Sequence, residues 1–590
     1  MATRPEKTTV PARREKLGIA LSGGGLRASF FHIGVLAQMA RQGLLRQVEV
    51  ISTVSGGSII GALYYLHVKG LLESKSDSEV TDGDYVEIIK RIEIDFLTAV
   101  ENNIRMLTFA DARVNLRMSK PDYSRSDRIA ELYDELLYRS VLSNVSTPVQ
   151  MRELKIFPPG SRRDFHPRND NGERQAKVPI LIVNATTLNS GRNWHFTAQT
   201  MGEPATSAQD EIDRKAIRLR RPRPSYDNMV ERQQDFPLGH AVAASACVPG
   251  IFPPFSISDL YRDEDEEIRV QLVDGGVHDN QGIEGLLYEE CTCFVVSDAA
   301  VQMDVENQPA TGSGSVLLRS SGVLMDRVRS EGLRRLMETK GKQKVAFMHL
   351  REGLKVRELA WINDKGNLAE PVSSIEPSSQ DFGVDPEVQE KLARLRTDLD
   401  SFTEVEAYSL MLSAYLMSDS TLSRFRKQSR FPGIRRAKVS DVADWGFLKI
   451  APWMKDPSPD YLKQLGVARF TFGKPLFLIP WLAVAVALVS VLLVVVLWPL
   501  LVYLLTQSIP VYLIVAAIVL VVADHFLPRL AKIFRFLQFL RAPVETAKRF
   551  FGRVVIPFLG ASVVRLYLKF IDPLFLSQGR FEEFQRRSPR

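Results

Sequence analysis

The chain has 590 residues, of which 45% are hydrophobic, 25% charged and 9% aromatic. This composition excludes a disulfide-stabilised miniprotein and a chain that is disordered throughout, and the length leaves room for several domains. The formal net charge is +7, but residues 529–590 carry +9 and the remainder −2. The partner of this basic segment is therefore predicted to be an anionic membrane surface, and not nucleic acid.

The three cysteines, Cys247, Cys291 and Cys293, are too few for a disulfide framework, and a lone Cys-x-Cys pair is a weak metal signal. They are expected to be reduced thiols in a cytoplasmic body, with no metal. Residues 1–16 form a polar tail without the apolar segment of a secretory signal.

The first elements follow the order strand, glycine turn, helix, twice over. Residues 17–21 and 48–54 are predicted strands, and helices are expected over 28–45 and 59–67. This order is typical of an α/β fold with a largely parallel sheet. Three further strands are predicted at 178–185, 270–273 and 293–297.

The intervening and following segments are harder to assign. Residues 74–154 are polar and mostly helical, and could cap a site, while two polar loops are predicted at 158–177 and 200–235. Residues 301–470 contain mixed helix and strand, including helices over 326–338 and 385–417. Whether this region extends the first domain or forms a separate one is left open.

No charged residue occurs in the 49 positions between Lys474 and Asp524. We expect a membrane hairpin within 475–528, with spans at 477–505 and 509 to about 527, because each stretch is long enough to cross a bilayer. Basic residues flank both ends, so both ends are predicted to be cytoplasmic. The alternative is a single long or re-entrant helix. Residues 529–590 are interpreted as a basic amphipathic tail on the membrane surface.

A triglycine sequence, Ser22-Gly23-Gly24-Gly25-Leu26-Arg27, follows the first strand. Glycine backbone at the start of a helix can direct its N–H groups at an anion. The same letters fit a loose dinucleotide fingerprint, with Glu49 about 20 residues on. However, Glu49 lies near the start of the second strand and not at its end, which argues against nucleotide binding.

The second strand ends in Thr53-Val54-Ser55-Gly56-Gly57, which has the pattern of a nucleophile elbow. A serine on such a turn exposes its hydroxyl at the mouth of the sheet. Combined with the glycine loop one strand earlier, it suggests the nucleophile and oxyanion hole of an acyl-transfer site. For the base, His240 and His278 fit by position, but Asp274 in Asp274-Gly275-Gly276 closes an apolar strand and is the stronger candidate.

These motifs, in this order, resemble the patatin-like phospholipases over roughly residues 17–300. The resemblance rests on the triglycine loop, the elbow at Ser55 and the Asp274-Gly-Gly turn. Two further segments, 184–191 and 244–254, are also similar to segments of that family. The resemblance implies a patatin-like three-layer α/β sandwich with a mainly parallel sheet.

The resemblance also implies a catalytic Ser55–Asp274 dyad, in which Asp274 accepts the serine proton. Gly23, Gly24 and Gly25 would bind the oxyanion, supported by the residues Arg27, Gly57 and Gly276. No cofactor or metal is implied. Two departures from the family pattern are Thr53, in place of the first elbow glycine, and Ala28, in place of the glycine after the arginine.

We therefore expect a membrane-anchored serine lipid acyl hydrolase acting on phospholipid or lysophospholipid esters, with its catalytic body on the cytoplasmic side. The alternative is a catalytically weak or inactive lipid-binding or scaffold protein that keeps the fold. Thr53 motivates that alternative, because a β-branched side chain can crowd the helix that follows the elbow. The oligomeric state is left open.

Overall fold

The computed structural model describes residues 14–118, 123–141, 147–162, 164–204, 224–300, 303, 305–354, 359–369, 382–428, 444–506 and 556–589. The chain divides into two compact units. The first comprises Met1–Thr108, Ser124–Thr471 and Gly579–Arg590, and the second Phe109–Tyr123 and Phe472–Gln578.

A nine-stranded sheet forms the centre of the first unit. Its strands are β1 Leu17–Leu21, β2 Val48–Val54, β3 Ile180–Thr187, β4 Asn193–Phe196, β5 Met201–Gly202, β6 Phe255–Asp263, β7 Glu266–Asp274, β8 Cys293–Asp298 and β9 Val345–His349. A separate two-stranded hairpin consists of β10 Trp361–Ile362 and β11 Leu368–Ala369.

The central strands of this sheet run parallel. Their order is β3-β2-β1-β8-β9, and each neighbouring pair is parallel, while β4 and β7 pair with β3 in the antiparallel sense. β1 and β2 are buried at every residue, which explains their apolar sequences, since central parallel strands are covered on both faces. The predicted α/β fold with a mainly parallel sheet is confirmed.

The α-helices of both units, in chain order, are α1 Gly25–Arg41, α2 Gly56–Ser74, α3 Asp82–Val100, α4 Ile104–Leu107, α5 Ala112–Arg117, α6 Arg125–Tyr133, α7 Pro167–Asp170, α8 Glu231–Gln234, α9 Leu238–Ser245, α10 Gly276–Asp279, α11 Ile283–Tyr288, α12 Ser313–Lys340, α13 Pro386–Ala393, α14 Glu404–Gln428, α15 Ala451–Lys455, α16 Pro459–Val467, α17 Lys474–Leu478, α18 Pro480–Thr506, α19 Ile556–Leu566, α20 Asp572–Gln578 and α21 Phe581–Arg587.

Helix α1 is buried along nearly its whole length, because α2, α3 and α14 pack around it. Residues 82–100, within the segment interpreted as a possible cap, thus pack on α1 and α2, and their buried side chains join the main hydrophobic core. The region left open by the sequence also joins this unit. β9 extends the parallel sheet beside β8, and α14 contributes a largely buried helix.

The helix predicted over 385–417 is interrupted between α13 and α14. In the connection, the buried Arg396 guanidinium lies 2.7 Å from both Asp400 Oδ1 and Glu406 Oε1, and it also donates to the Ser401 carbonyl at 2.7 Å. A buried cation needs such partners, and collecting them turns the chain away from a continuous helix. Strand β6 was not predicted, because the β6–β7 hairpin is exposed and rich in charged residues.

The second unit contains α5, α17, α18, α19 and α20. Helix α5 packs against α19, where the Asn115 side-chain amide donates to the Pro557 carbonyl at 3.2 Å. The Lys474 ammonium is buried 4.0 Å from the centre of the Phe575 ring.

The predicted membrane hairpin is not supported. Among the described residues, no helix meets the requirements of length and hydropathy for a membrane span. The second expected span, 509–527, lies outside the described residues. Helix α18 occupies most of the first expected span, carries no charged residue and exposes large apolar side chains such as Trp481, Leu488 and Trp498.

The basic tail differs in part from its interpretation as a surface segment. Residues 529–555 lie outside the described residues, as do residues 1–13 of the polar N-terminal tail. The chain end returns to the first unit, where Phe581 and Phe584 are buried against Trp453. The apolar face of α21 therefore packs on protein, which sequence amphipathicity alone does not distinguish from packing on lipid.

Candidate active site

Ser55 lies on a strained turn between β2 and α2. Its φ of +50° and ψ of −118° are rare for a residue with a side chain, and such strain is typical of a nucleophile elbow. The two residues that follow must be glycine. A Cβ on Gly56 would overlap the Gly25 carbonyl, and one on Gly57 would overlap the carbonyl of Leu21.

The sheet brings Asp274 to this turn. β2 and β7 pair with the same edge of β3, one after the other: Val54 pairs with Asn184, and Asp274 pairs with the next residue, Ala185. The end of β2 and the end of β7 therefore meet, and the Ser55 side chain forms a hydrogen bond with the Asp274 carboxylate.

Asp274 is buried, and burial raises the pKa of its carboxyl from 3.8 to about 6. Two hydrogen bonds oppose this effect, one from the Ser55 side chain and one from the Gly276 N–H, which donates to Oδ1 at 2.7 Å. The carboxylate is consequently a stronger base than an exposed aspartate, but it remains ionised at neutral pH.

The glycine loop lies beside the elbow. A Cβ on Gly23 would come within 3.2 Å of the Ser55 Cβ, and Gly24 and Gly25 have positive φ values of +139° and +58°. The Gly23 N–H donates to the Asn280 carbonyl at 3.0 Å. Within the described part of the chain, the N–H groups of Gly24 and Gly25 have no such partner.

Arg27 connects the start of α1 to two other segments of the unit. Its guanidinium is buried and donates to the Ala299 carbonyl at 2.6 Å and to the Leu395 carbonyl at 2.9 Å. Burial lowers the pKa of Arg27 to about 10, which still leaves it charged at neutral pH. The Ala299 carbonyl also lies against Gly24, so Arg27 restrains the segment that supports the loop.

The family comparison covers the segment that carries most of these residues. Residues 19–287 match the model of the patatin-like phospholipases. This segment is a patatin-like phospholipase domain. A comparison with curated proteins gave no match.

Two solved structures are similar to the chain that carries this patatin-like domain. A human group IVD cytosolic phospholipase A2, in complex with methyl gamma-linolenyl fluorophosphonate and terbium chloride, shares 13% identity at a TM-score of 0.33. The match covers 70% of this chain and 59%, less than two thirds, of the human chain. VipD from Legionella pneumophila also shares 13% identity, at a TM-score of 0.25. That match covers 70% of this chain and 67% of the VipD chain.

One contributor to the patatin-like site, Ser245, was not predicted. Its hydroxyl accepts the Ser55 N–H at 2.9 Å and lies 2.8 Å from the Ser58 hydroxyl. The same segment holds the aspartate turn, since the Gly275 N–H donates to the Ser245 carbonyl and the Asp274 N–H to the Cys247 carbonyl. Residues 245–247 therefore bind both halves of the predicted dyad. The similar segment 244–254 was the available signal, but it indicated no role for Ser245.

Asn280 is a second residue that sequence reasoning missed. Its side-chain oxygen occupies the space where a Cβ would lie on either Gly23 or Gly276. Its carbonyl accepts the Gly23 N–H. Asn280 therefore packs between the glycine loop and the aspartate turn, which explains why both positions need glycine. Nothing in the sequence pattern around Asn280 indicates this contact.

The histidines considered as bases have other surroundings. His240 is half-buried and packs edge-on against Phe255, and desolvation by the surrounding protein lowers its pKa. His278 lies 3.4 Å from Glu284. His32, which was not considered, lies beneath the glycine loop with its Nε2 2.9 Å from the Ser22 carbonyl. Burial lowers the pKa of His32 to about 4, so it supports the loop as a neutral side chain.

Glu49 has no part in this site. It lies near the start of β2, six residues before Ser55, and its carboxylate is buried 2.7 Å from the Arg14 guanidinium. The dinucleotide interpretation required an acid at the opposite end of the strand. All three cysteines are free and buried.

Proposed function

We propose that this protein hydrolyses membrane-lipid esters with Ser55 as the nucleophile and Asp274 as the general base. One observation carries the proposal: Ser55 occupies a positive-φ elbow, and its side chain hydrogen-bonds a buried carboxylate whose pKa is raised to about 6. A strained serine beside a desolvated base is the arrangement that nucleophilic acyl transfer requires.

In the proposed reaction, Asp274 accepts the proton of the Ser55 hydroxyl as the serine oxygen bonds to the ester carbonyl carbon. The tetrahedral intermediate then expels the alcohol, which takes the proton from Asp274, and an acyl-serine remains. Water, deprotonated by Asp274, then attacks this ester. The second intermediate expels the Ser55 oxygen, which takes the proton from Asp274, and the fatty acid is released.

The oxyanion of each intermediate needs hydrogen-bond donors that are already in place. The N–H groups of Gly24 and Gly25 support this role, because they have no partner within the described residues and lie in the loop beside Ser55. Gly23 contributes in a different way. Its own N–H is occupied, and its missing side chain leaves room for Asn280 and Ser55.

The proposed substrate is a glycerophospholipid or lysophospholipid ester, with acylglycerols as the next class. We propose that the exposed apolar side chains of α18 attach the protein to the membrane that contains this substrate, with help from the basic residues beyond 529. Three free thiols favour the cytoplasmic side for the catalytic unit.

The test uses a serine-reactive fluorophosphonate probe together with fatty-acid release from phospholipid vesicles. We expect the wild type to be labelled, and Ser55→Ala and Asp274→Asn to lose both labelling and hydrolysis. Ser418→Ala is the matched control, because Ser418 is a buried serine whose hydroxyl donates to carbonyls of its own helix. A Ser55→Ala variant that still released fatty acid would contradict the proposal.

The pH dependence provides an independent check. Asp274 acts as a base only when ionised, so the rate of labelling is expected to increase as the pH rises through about 6 and to level off above it. A rate that followed the ordinary carboxyl pKa near 4 would mean that the base is an exposed group and not Asp274.

A further inference from the structure

Helix α12 exposes an unusual number of large apolar side chains. Leu317 and Leu318 are each 73% exposed and Leu324 is 64% exposed, while Leu336 is the one fully buried residue of this 28-residue helix. Single exposed leucines are common on protein surfaces, but a cluster of them on one element indicates an interaction site.

The exposed apolar residues form two neighbouring rows along the helix. Leu317, Leu324 and Val328 lie seven and four positions apart, and Val316 and Val323 lie beside them, also seven apart. Residues at these spacings share one helix face. The N-terminal half of α12 therefore presents a mainly apolar surface, in which Ser320 is the polar residue between the two rows.

Arginines continue both rows toward the C-terminal half. Arg327 lies four positions after Val323, and Arg334 lies seven positions after Arg327. Arg335 lies seven positions after Val328. Residues 313–340 carry a net charge of +3. Arg334 pairs with Glu331 and Glu338, but exposed pairs of this kind add little stability and exchange readily for other anions.

The C-terminal half attaches this surface to the catalytic site. Leu336 is buried in a hydrophobic cluster, and the Arg329 guanidinium lies 3.2 Å from the buried Asp298 carboxylate at the end of β8. The next residue, Ala299, is the one whose carbonyl contacts Gly24 and Arg27. Helix α12 also packs on α10, which directly follows the Asp274 turn.

We propose that α12 binds an anionic lipid surface, with its apolar N-terminal half inserted among the acyl chains and Arg327, Arg334 and Arg335 on the headgroups. An apolar face bordered by arginine is the chemistry that such a surface selects. This inference rests on the proposed lipid hydrolase function, and it adds a contact that belongs to the catalytic unit itself. It would hold the site against the bilayer independently of α18.

The experiment uses the full-length chain with an environment-sensitive fluorophore at Leu317→Cys. The native cysteines are buried, so an introduced exposed cysteine can be labelled selectively. Leu368→Cys is the matched control, because Leu368 is also 73% exposed but lies in the β10–β11 hairpin. The probes are vesicles of phosphatidylcholine alone and of equimolar phosphatidylcholine and phosphatidylglycerol.

We expect the label at 317 to shift to shorter emission wavelength on the phosphatidylglycerol vesicles, more weakly on phosphatidylcholine, and the label at 368 to remain unchanged. The double variant Leu317→Ser/Leu324→Ser should hydrolyse vesicle lipid at least tenfold more slowly. Its reaction with the fluorophosphonate probe should match that of the wild type, since α12 contributes no group to the dyad.

Other outcomes would overturn the inference. An unchanged label at 317, or equal shifts at 317 and 368, would show that α12 makes no specific contact with lipid. A shift without vesicles that grows with protein concentration would identify the face as a contact between two copies of the chain. If Ser55 failed to react with the probe while the 317 shift persisted, the hydrolase function would fail and the lipid-binding helix would stand.

Discussion

Thr53 and Gly61 fit together beneath the elbow. A Cβ on Gly61 would lie 2.5 Å from the Thr53 Cγ2, so the glycine leaves space for the threonine methyl. The Thr53 hydroxyl donates to the Ile182 carbonyl at 3.1 Å and accepts from Ser58 at 3.0 Å. The side chain expected to crowd the following helix is therefore accommodated, which weakens the main argument for an inactive scaffold.

This pair predicts a compensating substitution. Gly61→Ala should destabilise the protein by about 1–3 kcal/mol, since the new methyl overlaps Thr53. The double variant Thr53→Ser/Gly61→Ala should recover most of that loss, because serine keeps the hydroxyl and removes the methyl. Thermal unfolding of the two single variants and the double variant measures the coupling. Additive effects would show that the two side chains do not compete for space.

Asp274 is predicted to lower the stability of the fold at neutral pH. Its pKa is raised from 3.8 to about 6, so between these values the folded state binds more protons than the unfolded state, and the free energy of unfolding falls as the pH rises. Above pH 6 the accumulated cost is about 3 kcal/mol.

Asp274→Asn should therefore be more stable than the wild type at pH 7, by up to about 3 kcal/mol, although we expect it to be inactive. The advantage should shrink as the pH falls below 6, because the wild-type carboxyl then becomes neutral as well. Unfolding temperatures measured between pH 4 and pH 8 test the sign. A variant that was less stable at pH 7 would show that hydrogen bonds to the carboxylate outweigh its desolvation.

Among the elements, the end of α9 couples the elbow to the aspartate turn. Residues 245–247 accept N–H groups from Ser55, Asp274 and Gly275. The proposed nucleophile and base thus depend on one segment, which begins 190 residues after Ser55 and ends 27 residues before Asp274.

Ser245→Ala should slow the reaction of Ser55 with the fluorophosphonate probe by about tenfold to a hundredfold. Removing the hydroxyl leaves the buried Ser55 N–H without its acceptor, at a cost of about 1–3 kcal/mol at the strained turn. Ser245 is a positioning residue, so the pH profile governed by Asp274 should keep its midpoint. A shifted midpoint would mean that the substitution alters the base itself.

At the scale of the molecule, the first unit extends beyond the patatin-like segment. α14 packs along α1, where a Cβ on Gly34 would overlap the Met411 carbonyl. The Asp398 carbonyl, in the connection before α14, accepts the Leu26 N–H at 3.1 Å, directly after the glycine loop. Residues 396–428 therefore support the site, although they lie outside the matched segment.

Gly34→Ala should destabilise the first unit by about 1–3 kcal/mol and reduce the labelling of Ser55, because the methyl separates α1 from α14. Gly332→Ala in α12 is the matched control. A Cβ added there would meet no atom of another segment within 4 Å among the described residues, and alanine favours a helix. Thermal unfolding and probe labelling of both variants test this prediction. Equal effects of the two substitutions would argue against close packing of α1 on α14.

Local sequence predicted the elements of the site well. β2 was predicted with its observed bounds, and the triglycine loop, Ser55 and Asp274 all lie at the strand ends where their motifs indicated. These motifs can be recognised in the sequence because each turn at the end of a strand is formed by consecutive residues. Ser245 and Asn280 make contacts with distant segments, and their own neighbours in sequence do not reveal those contacts.

The sequence by itself determined the parallel α/β architecture and the candidate nucleophile, base and anion loop, because burial on both faces of a strand and tight glycine turns leave local patterns. Only the tertiary structure decided that β2 and β7 meet on one edge of β3, that Gly61 makes room for Thr53, and that residues 345–428 belong to the same unit as the site. These facts depend on which surfaces pack together, and packing partners far apart in the chain share no local signal.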